Sequence, residues 1–253
     1  MSRYFIELAY KGTNYAGFQI QQNANSIQAE VEKALAILFK TNFQLTCSSR
    51  TDAGVHALKN YFHFDTIILP GKNKLENVVY RLNAILPADI AVRQIFRVKN
   101  DAHCRFDAVS REYNYFIYQG KQPFLMDRAY YYPYKLNINQ LQQAAEAVMN
   151  HSDFTSFSKR NTQVKSFDCA IKNSNWYIHD EQIVYNVVSN RFLRGMVKGL
   201  VGTMLRVGTG KITLDGLFHI FQQKDCSKAD FSVPPHGLFL ADVVFPESIC
   251  WIE

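Results

Sequence analysis

The order in which two hydrophobic periods follow one another constrains the fold of this chain more than any other feature. RYFIELAY, residues 3–10, alternates apolar and polar side chains before becoming continuously strand-like, and Gly12 closes it. Asn25 with Gln28 three residues on has the form of a capping box, and Ile27, Val31, Ala34, Leu35 and Leu38 then recur at helical spacing. FQLTC at 43–47 and YFHFD at 61–65 are strand-like on either side of the turn-rich stretch SSRTDAG. Leu75, Val78, Val79, Leu82, Ile85 and Leu86 mark a second helix that stops before Pro87, and IAVRQIFRV at 90–98 returns to strand. The resulting order, β-α-β-β-α-β, is the split βαβ arrangement, in which two helices cover one face of an antiparallel sheet.

The second half repeats that order. EYNYFIYQ at 112–119 is strand-like, and Asn139 with Gln142 opens a helix carrying Leu141, Ala145, Val148 and Met149 on one stripe. SFDCAIK at 166–172 and QIVYNVVS at 182–189 form a strand pair around a polar turn, FLRGMVKGLVGTML at 192–205 is one long helix, and GLFLADVVF at 237–245 is a closing strand. The halves share element order without sequence self-similarity. The expectation is an α+β fold of two fused βαββαβ, ferredoxin-like halves, forming an extended, mainly antiparallel sheet with helices on one face and a central cleft. An Asn100-Asp101 turn marks the boundary, giving an N-terminal domain over 1–105 and a C-terminal domain over 106–253.

Composition narrows the function classes. With 47% hydrophobic and 20% charged residues, the 253-residue chain is a globular sequence, too interrupted for a membrane span. The segment MSRYFIELAYKG has Arg3 and Glu7 among its few apolar residues, unlike a secretory signal, so the expected location is the cytoplasm. Cysteines at 47, 104, 169, 226 and 250 are odd in number, scattered and free of CxxC spacing, which argues against a disulfide framework or a zinc site. No metal ligand set is expected, and Cys47 reads as core filler. The formal charge of +6 favours a polyanionic partner, although charge alone does not define one.

The chemistry concentrates in SSRTDAGVHA at 48–57. An Asp beside Gly54 suits a hairpin turn, and that reading stands beside a functional one. Arg50 is placed to orient or neutralise the Asp52 carboxylate, Ser49 and Thr51 offer hydroxyls, and Gly54 allows close backbone approach. His56 is either a base or a hydrogen-bonded structural side chain. Arg191, Arg194 and Lys198, at i, i+3 and i+7, make a basic stripe on the predicted long helix, or its solvated edge. Gly195, Gly199 and Gly202 carry helix penalties of roughly 1 kcal/mol each, so something packs closely there; the expected partner is the Asp52 loop.

Five segments in order resemble the TruA family of tRNA pseudouridine synthases: RTDAGVHA at 50–57, YKGTNYAGFQIQ at 10–21, NAILPADIAV at 83–92, HCRFDAVSREYNYFIY at 103–118 and NRFLRGMVKGLVGTMLRVG at 190–208. The resemblance implies conversion of uridine to pseudouridine at positions 38, 39 and 40 of the tRNA anticodon stem-loop by a homodimer without metal or other cofactor. No P-loop or GxGxxG sequence is present to suggest a nucleotide cofactor. It assigns Asp52 as the catalytic acid and Tyr113 as the ring that stacks on the target base, with Tyr115 the nearest competitor. The family's aspartate-pairing arginine falls at Lys198; lysine keeps the charge but not the bidentate fork, so the role passes to Lys198 itself, to Arg194 or to Arg50. In the first loop Lys11 replaces an aspartate and Phe18 a tryptophan: Lys11 is expected to meet tRNA phosphate and Phe18 to preserve a stacking surface. Arg191 and Arg194 are further substrate-binding candidates. The tyrosine-rich AYYYPY at 129–134 is either an RNA-stacking run or buried loop packing. Two rivals remain, a non-catalytic tRNA-binding protein on the same scaffold and a hydrolase using Asp52; the second lacks the partner acid or metal it would need.

Overall fold

The computed structural model describes residues 1–67, 74–160 and 164–249; Cys250 lies outside the described residues. Two compact units divide the chain, one comprising Met1–Val109 with the stretch from Leu240 onward, the other Ser110–Phe239. In the first unit β1 (Ser2–Tyr10), α1 (Ile27–Phe39), β2 (Thr46–Cys47), β3 (His56–Thr66), α2 (Leu75–Ile85) and β4 (Ile90–Val98) follow the expected order. The second unit contains β5 (Ser110–Tyr118), β6 (Tyr130–Tyr131), α3 (Ile138–Met149), β7 (Ile171–His179), β8 (Gln182–Ser189), α4 (Met196–Gly208) and α5 (Leu214–Gln223); β9 (Leu238–Val244) begins there and ends in the first. The strands form one mixed, mostly antiparallel sheet in the order β4-β1-β3-β9-β5-β8-β7, with β2 on β3 and β6 on β5. The fold class is the α+β arrangement expected. Among the described residues, no helix is long and apolar enough to cross a membrane.

β1 pairs with β3 on one side and β4 on the other, and Phe5, Ile6 and Leu8 are fully buried. A strand covered on both faces loses the alternation of a half-exposed one, which is why its sequence reads as continuous. The α1 stripe buries Ile27, Val31, Ala34 and Leu35. Its cap is Ser26, whose Oγ accepts from Ala29 N–H at 3.3 Å, and not the Asn25–Gln28 pair. Gln28 instead donates to Glu32 and to the Leu45 carbonyl. α2 ends at Leu86, which is extended (ψ 149°) as a residue before proline must be. Likewise α3 is capped by Asn137, two residues before the expected start.

β7 departs furthest from expectation. It runs over 171–179 and not 166–172, and closes onto β8 through Asp180 and Glu181, both left-handed (φ 47° and 62°), the backbone of a two-residue type I′ hairpin. Asn173, Ser174 and Asn175 are poor strand formers, but here their side chains are satisfied across the sheet. Asn173 donates to Asn175 and Asn186, Ser174 shares a 2.9 Å bond with Tyr185 OH, and Asn186 donates to Asn114 at 2.7 Å. The helix α5, capped by Thr213, has no counterpart in the sequence reading.

Candidate active site

In the first unit the chain leaves β1 through a 3-10 turn at Gly12–Asn14, and enters β3 at His56. The loop carrying Asp52 is held between these points by buried polar groups. Tyr10 OH and Thr51 Oγ1 lie 2.8 Å apart, and Asn60 Nδ2 donates both to Tyr10 OH at 3.1 Å and to the Ser49 carbonyl at 2.9 Å. Ser48 Oγ donates to Asn60 Oδ1 at 2.8 Å, and Phe18 N–H to the Thr51 carbonyl at 3.1 Å. Val55 N–H closes the turn on the Asp52 carbonyl, with Gly54 left-handed at φ 76°. Thr51, His56 and Asn60 are buried while Asp52 is exposed, and only its backbone serves in this anchoring. Satisfied buried polar networks hold their members rigidly. The result is a fixed frame presenting one carboxylate.

Close backbone approach completes the frame. A Cβ on Gly12 would stand 2.0 Å from the Val55 carbonyl oxygen, and Gly12 N–H donates to His56 Nδ1 at 3.0 Å. His56 therefore serves as a structural acceptor. Asp89 ties in the third segment: its carbonyl accepts from Lys11 N–H at 2.9 Å and its carboxylate from Tyr15 OH at 2.5 Å and Asn14 Nδ2 at 3.3 Å. Burial, helped by this carboxylate, pushes the Tyr15 hydroxyl pKa up and keeps it a donor. Asn83 clamps both backbone groups of Val92 in the same segment. The stretches 10–21, 48–57 and 83–92, far apart in sequence, thus form one locus.

Lys11 and Arg50 are exposed. Phe18 requires correction: its ring is fully buried against Phe62 (4.7 Å) and Tyr10 (6.0 Å), leaving no free face for a base. A phenylalanine has no polar edge to keep at the surface, so the core takes it. Burial pushes the Cys47 thiol pKa up, against the pull of Arg50 and Arg105, so Cys47 is a neutral core group and not a thiolate.

In the second unit Tyr113 lies on β5 opposite Val187 of β8, buried, with the Phe192 ring edge-on at 4.9 Å. Tyr115 is committed elsewhere. Its hydroxyl donates to the Pro234 carbonyl at 2.7 Å, Gly237 packs on its ring, and burial pushes its pKa up. The expected long helix starts late, at Met196, because Gly195 is left-handed (φ 75°). Arg191 and Arg194 therefore precede the helix, and the basic stripe through them and Lys198 does not exist; Lys198 alone lies on α4, partly exposed. The glycine partners also differ from expectation. A Cβ at Gly199 would meet Phe231 at 2.7 Å, one at Gly202 the Asp230 carbonyl at 2.2 Å, and Gly195 faces Lys159. Gly199 and Gly202 admit the 230–231 segment, which Thr203 Oγ1 also holds by accepting from Asp230 N–H. In the tyrosine run Tyr130 and Tyr132 are half-buried while Tyr131 and Tyr134 are exposed, and the rings of Tyr130, Tyr132 and Tyr134 lie at successive 5.4 and 5.0 Å separations.

Sequence reasoning missed Asp89 as an anchor, although its place in the matching NAILPADIAV segment was a signal. It also missed the state of Ser49, whose Oγ is buried without a hydrogen-bond partner among the described residues. An orphan hydroxyl costs ~1–3 kcal/mol. Ser49→Ala is accordingly expected to raise Tm by about 2–4 °C, corresponding to ~1 kcal/mol, in a thermal melt; a lowered Tm would show that the hydroxyl is bonded in solution.

The fold and site define an α+β protein that presents the exposed Asp52 carboxylate on an anchored loop, and comparison with known proteins fixes the family. The family model described as tRNA pseudouridine synthase matches residues 8–107 and 144–246. The chain belongs to this family. It is 42% identical to tRNA pseudouridine synthase A of Parabacteroides distasonis over the whole of both chains. Against the protein of the same description from Bacteroides fragilis it is 43% identical over 98% of each chain, and against that of Staphylococcus aureus 34% identical over 97% of this chain and 93% of the other.

Proposed function

We propose that this protein isomerises uridine to pseudouridine in tRNA, at positions 38, 39 and 40 of the anticodon stem-loop, working in the cytoplasm as a homodimer. The reaction breaks the bond from N1 of uracil to C1′ of the ribose and forms one from C5 to C1′. The C5 proton is lost, and a proton is gained at N1. Atoms and electrons balance within the nucleoside, with no oxidant, hydride donor or hydrolytic water consumed. The observation that carries the reading is the exposed Asp52 on a loop anchored on both sides by hydrogen bonds, at Ser48, the Ser49 carbonyl and Thr51 before it and at Val55 after it. A single preoriented carboxylate suits a rearrangement in which one group acts at the sugar or base while the detached uracil is held and turned.

In this reading the N-terminal domain, 1–105, supplies Asp52, with Arg50 to orient its carboxylate and Lys11 as a cation for the RNA backbone. The C-terminal domain, 106–253, supplies the Tyr113 ring for the target base, Lys198 to keep the carboxylate ionised, and Arg191 and Arg194 to meet phosphate. Stacking of a displaced base on an aromatic ring contributes ~1–3 kcal/mol, offsetting part of the cost of extrusion. The test is incubation of purified protein with unmodified tRNA, followed by mapping of pseudouridine; tRNA binding with no conversion would leave only a binding protein. Lys198→Ala is expected to reduce turnover ~100-fold or more, and Lys198→Arg to retain it. An innocuous Lys198→Ala in the same assay would move the pairing role to another cation.

A further inference from the structure

The turn at 103–107 in the first unit has no part in the roles assigned so far, yet it is built with unusual care. His103 N–H donates to Asp107 Oδ2 at 2.6 Å and Asp107 N–H returns to the His103 carbonyl at 3.0 Å. Arg105 and Phe106 both direct their N–H groups at His103 Nδ1, at 3.2 and 3.4 Å. The turn is fastened to the sheet through Cys104, whose thiol donates to the Thr46 carbonyl at 3.1 Å and lies 3.2 Å from His63 Nδ1. Thr46 belongs to β2, and the aspartate loop follows that strand directly.

Aromatic rings continue this construction outward. From fully buried Phe5 the series runs to His63 (6.1 Å), to His103 (4.6 Å) and to Phe106 (4.2 Å, planes 34° apart). Phe106 is nevertheless 75% exposed, and the Arg105 guanidinium carbon lies 5.9 Å from its ring centroid. Isolated surface phenylalanines are ordinary. This one differs in being backed by a fixed imidazole, with the Arg105 guanidinium over the ring at the 5.9 Å of a loose cation–π contact and most of the residue exposed. A rigid ring with a guanidinium beside it matches an unpaired nucleotide, with a π-face for the base and a charge for the phosphate. A nucleotide carries both in one unit, and the net charge of +6 favours a polyanion as the partner.

We propose that Phe106, with Arg105, forms a stacking platform for an unpaired base of the tRNA, beside the aspartate loop and separate from the ring that receives the target uridine. The assignment rests on the tRNA-modifying reading above. Full-length parent and Phe106→Ala, Phe106→Leu and Phe106→Trp proteins are compared for tRNA affinity by filter binding, for KM and kcat, and for sedimentation. Phe106→Ala and Phe106→Leu are expected to weaken binding and raise KM ~5–100-fold with kcat changed less than about threefold. Phe106→Trp should restore affinity, because leucine keeps apolar cover while only an aromatic ring stacks. Arg105→Ala should flatten the salt dependence of binding by about one unit of slope. Affinities within about twofold of the parent for both truncations overturn the platform, and so does a parent that binds no tRNA. A loss of affinity that merely follows dissociation of a dimer overturns it too, assigning the ring to a second copy of the chain. A parent that binds tRNA with this Phe106 dependence but makes no pseudouridine refutes the isomerase reading and leaves the platform standing.

Discussion

Asp52→Asn is expected to abolish pseudouridine formation, by at least ~10⁴-fold, the scale on which loss of a group acting directly on the reacting atoms falls. Asparagine keeps the shape and size of the side chain while removing its charge. The side chain is exposed and the loop is held by Tyr10, Thr51, Asn60 and Phe18 through other atoms, so the fold has no reason to respond. The checks are single-turnover conversion of unmodified tRNA, tRNA affinity and Tm measured on the same preparation. Affinity within about threefold and a Tm within about a degree of the parent should accompany the lost activity. Conversion within tenfold of the parent would remove Asp52 from the reaction.

Gly12→Ala should cost both stability and turnover. The added Cβ would stand 2.0 Å from the Val55 carbonyl oxygen, 2.8 Å from its carbon and 3.1 Å from its nitrogen. All three atoms are backbone, so no rotamer change relieves the clash and the two loops must part. The expected loss is ~3 kcal/mol, at the upper end for overpacking, with activity down ~100-fold even where the protein remains folded, because the aspartate loop shifts with Val55. Gly120→Ala, with no atom within 4 Å of its added Cβ, is the control and should be silent in both denaturant melts and turnover. A Gly12→Ala protein with parental Tm and activity would show that the loop is free to move.

The order of strands and helices was legible because each element keeps a hydrophobic period of its own: the α1 stripe and the stop at Leu86 are local facts. Local facts also misled where tertiary structure decided. Asn173 to Asn175 form a strand because Asn186 and Tyr185 satisfy them across the sheet. Gly195 breaks a pattern that reads as helix on either side of it. At the site, RTDAGVHA marked the exposed aspartate, but what fixes it there is non-local. The meeting of Gly12 with Val55, of Asp89 with Tyr15 and of Tyr10 with Thr51 leaves no periodic trace in one sequence. Phe18 was misplaced for the same reason, since a loop aromatic shows its packing only when Phe62 and Tyr10 are beside it.

The stretch from Leu240 onward belongs with Met1–Val109. Val109 N–H donates to the Val244 carbonyl at 2.8 Å, Phe245 packs against Phe5 and Tyr61, and Asp242 pairs with Lys59 on the strand leading out of the aspartate loop. During synthesis, then, the segment bearing Asp52 emerges nearly two hundred residues before Phe245, whose ring completes the cluster at Phe5 and Tyr61. A nascent chain halted before Phe245 keeps the Phe96 contacts of Phe5 and Tyr61 but lacks the ring that packs edge-on against both, so this core closes only after the Asp52 loop has been made.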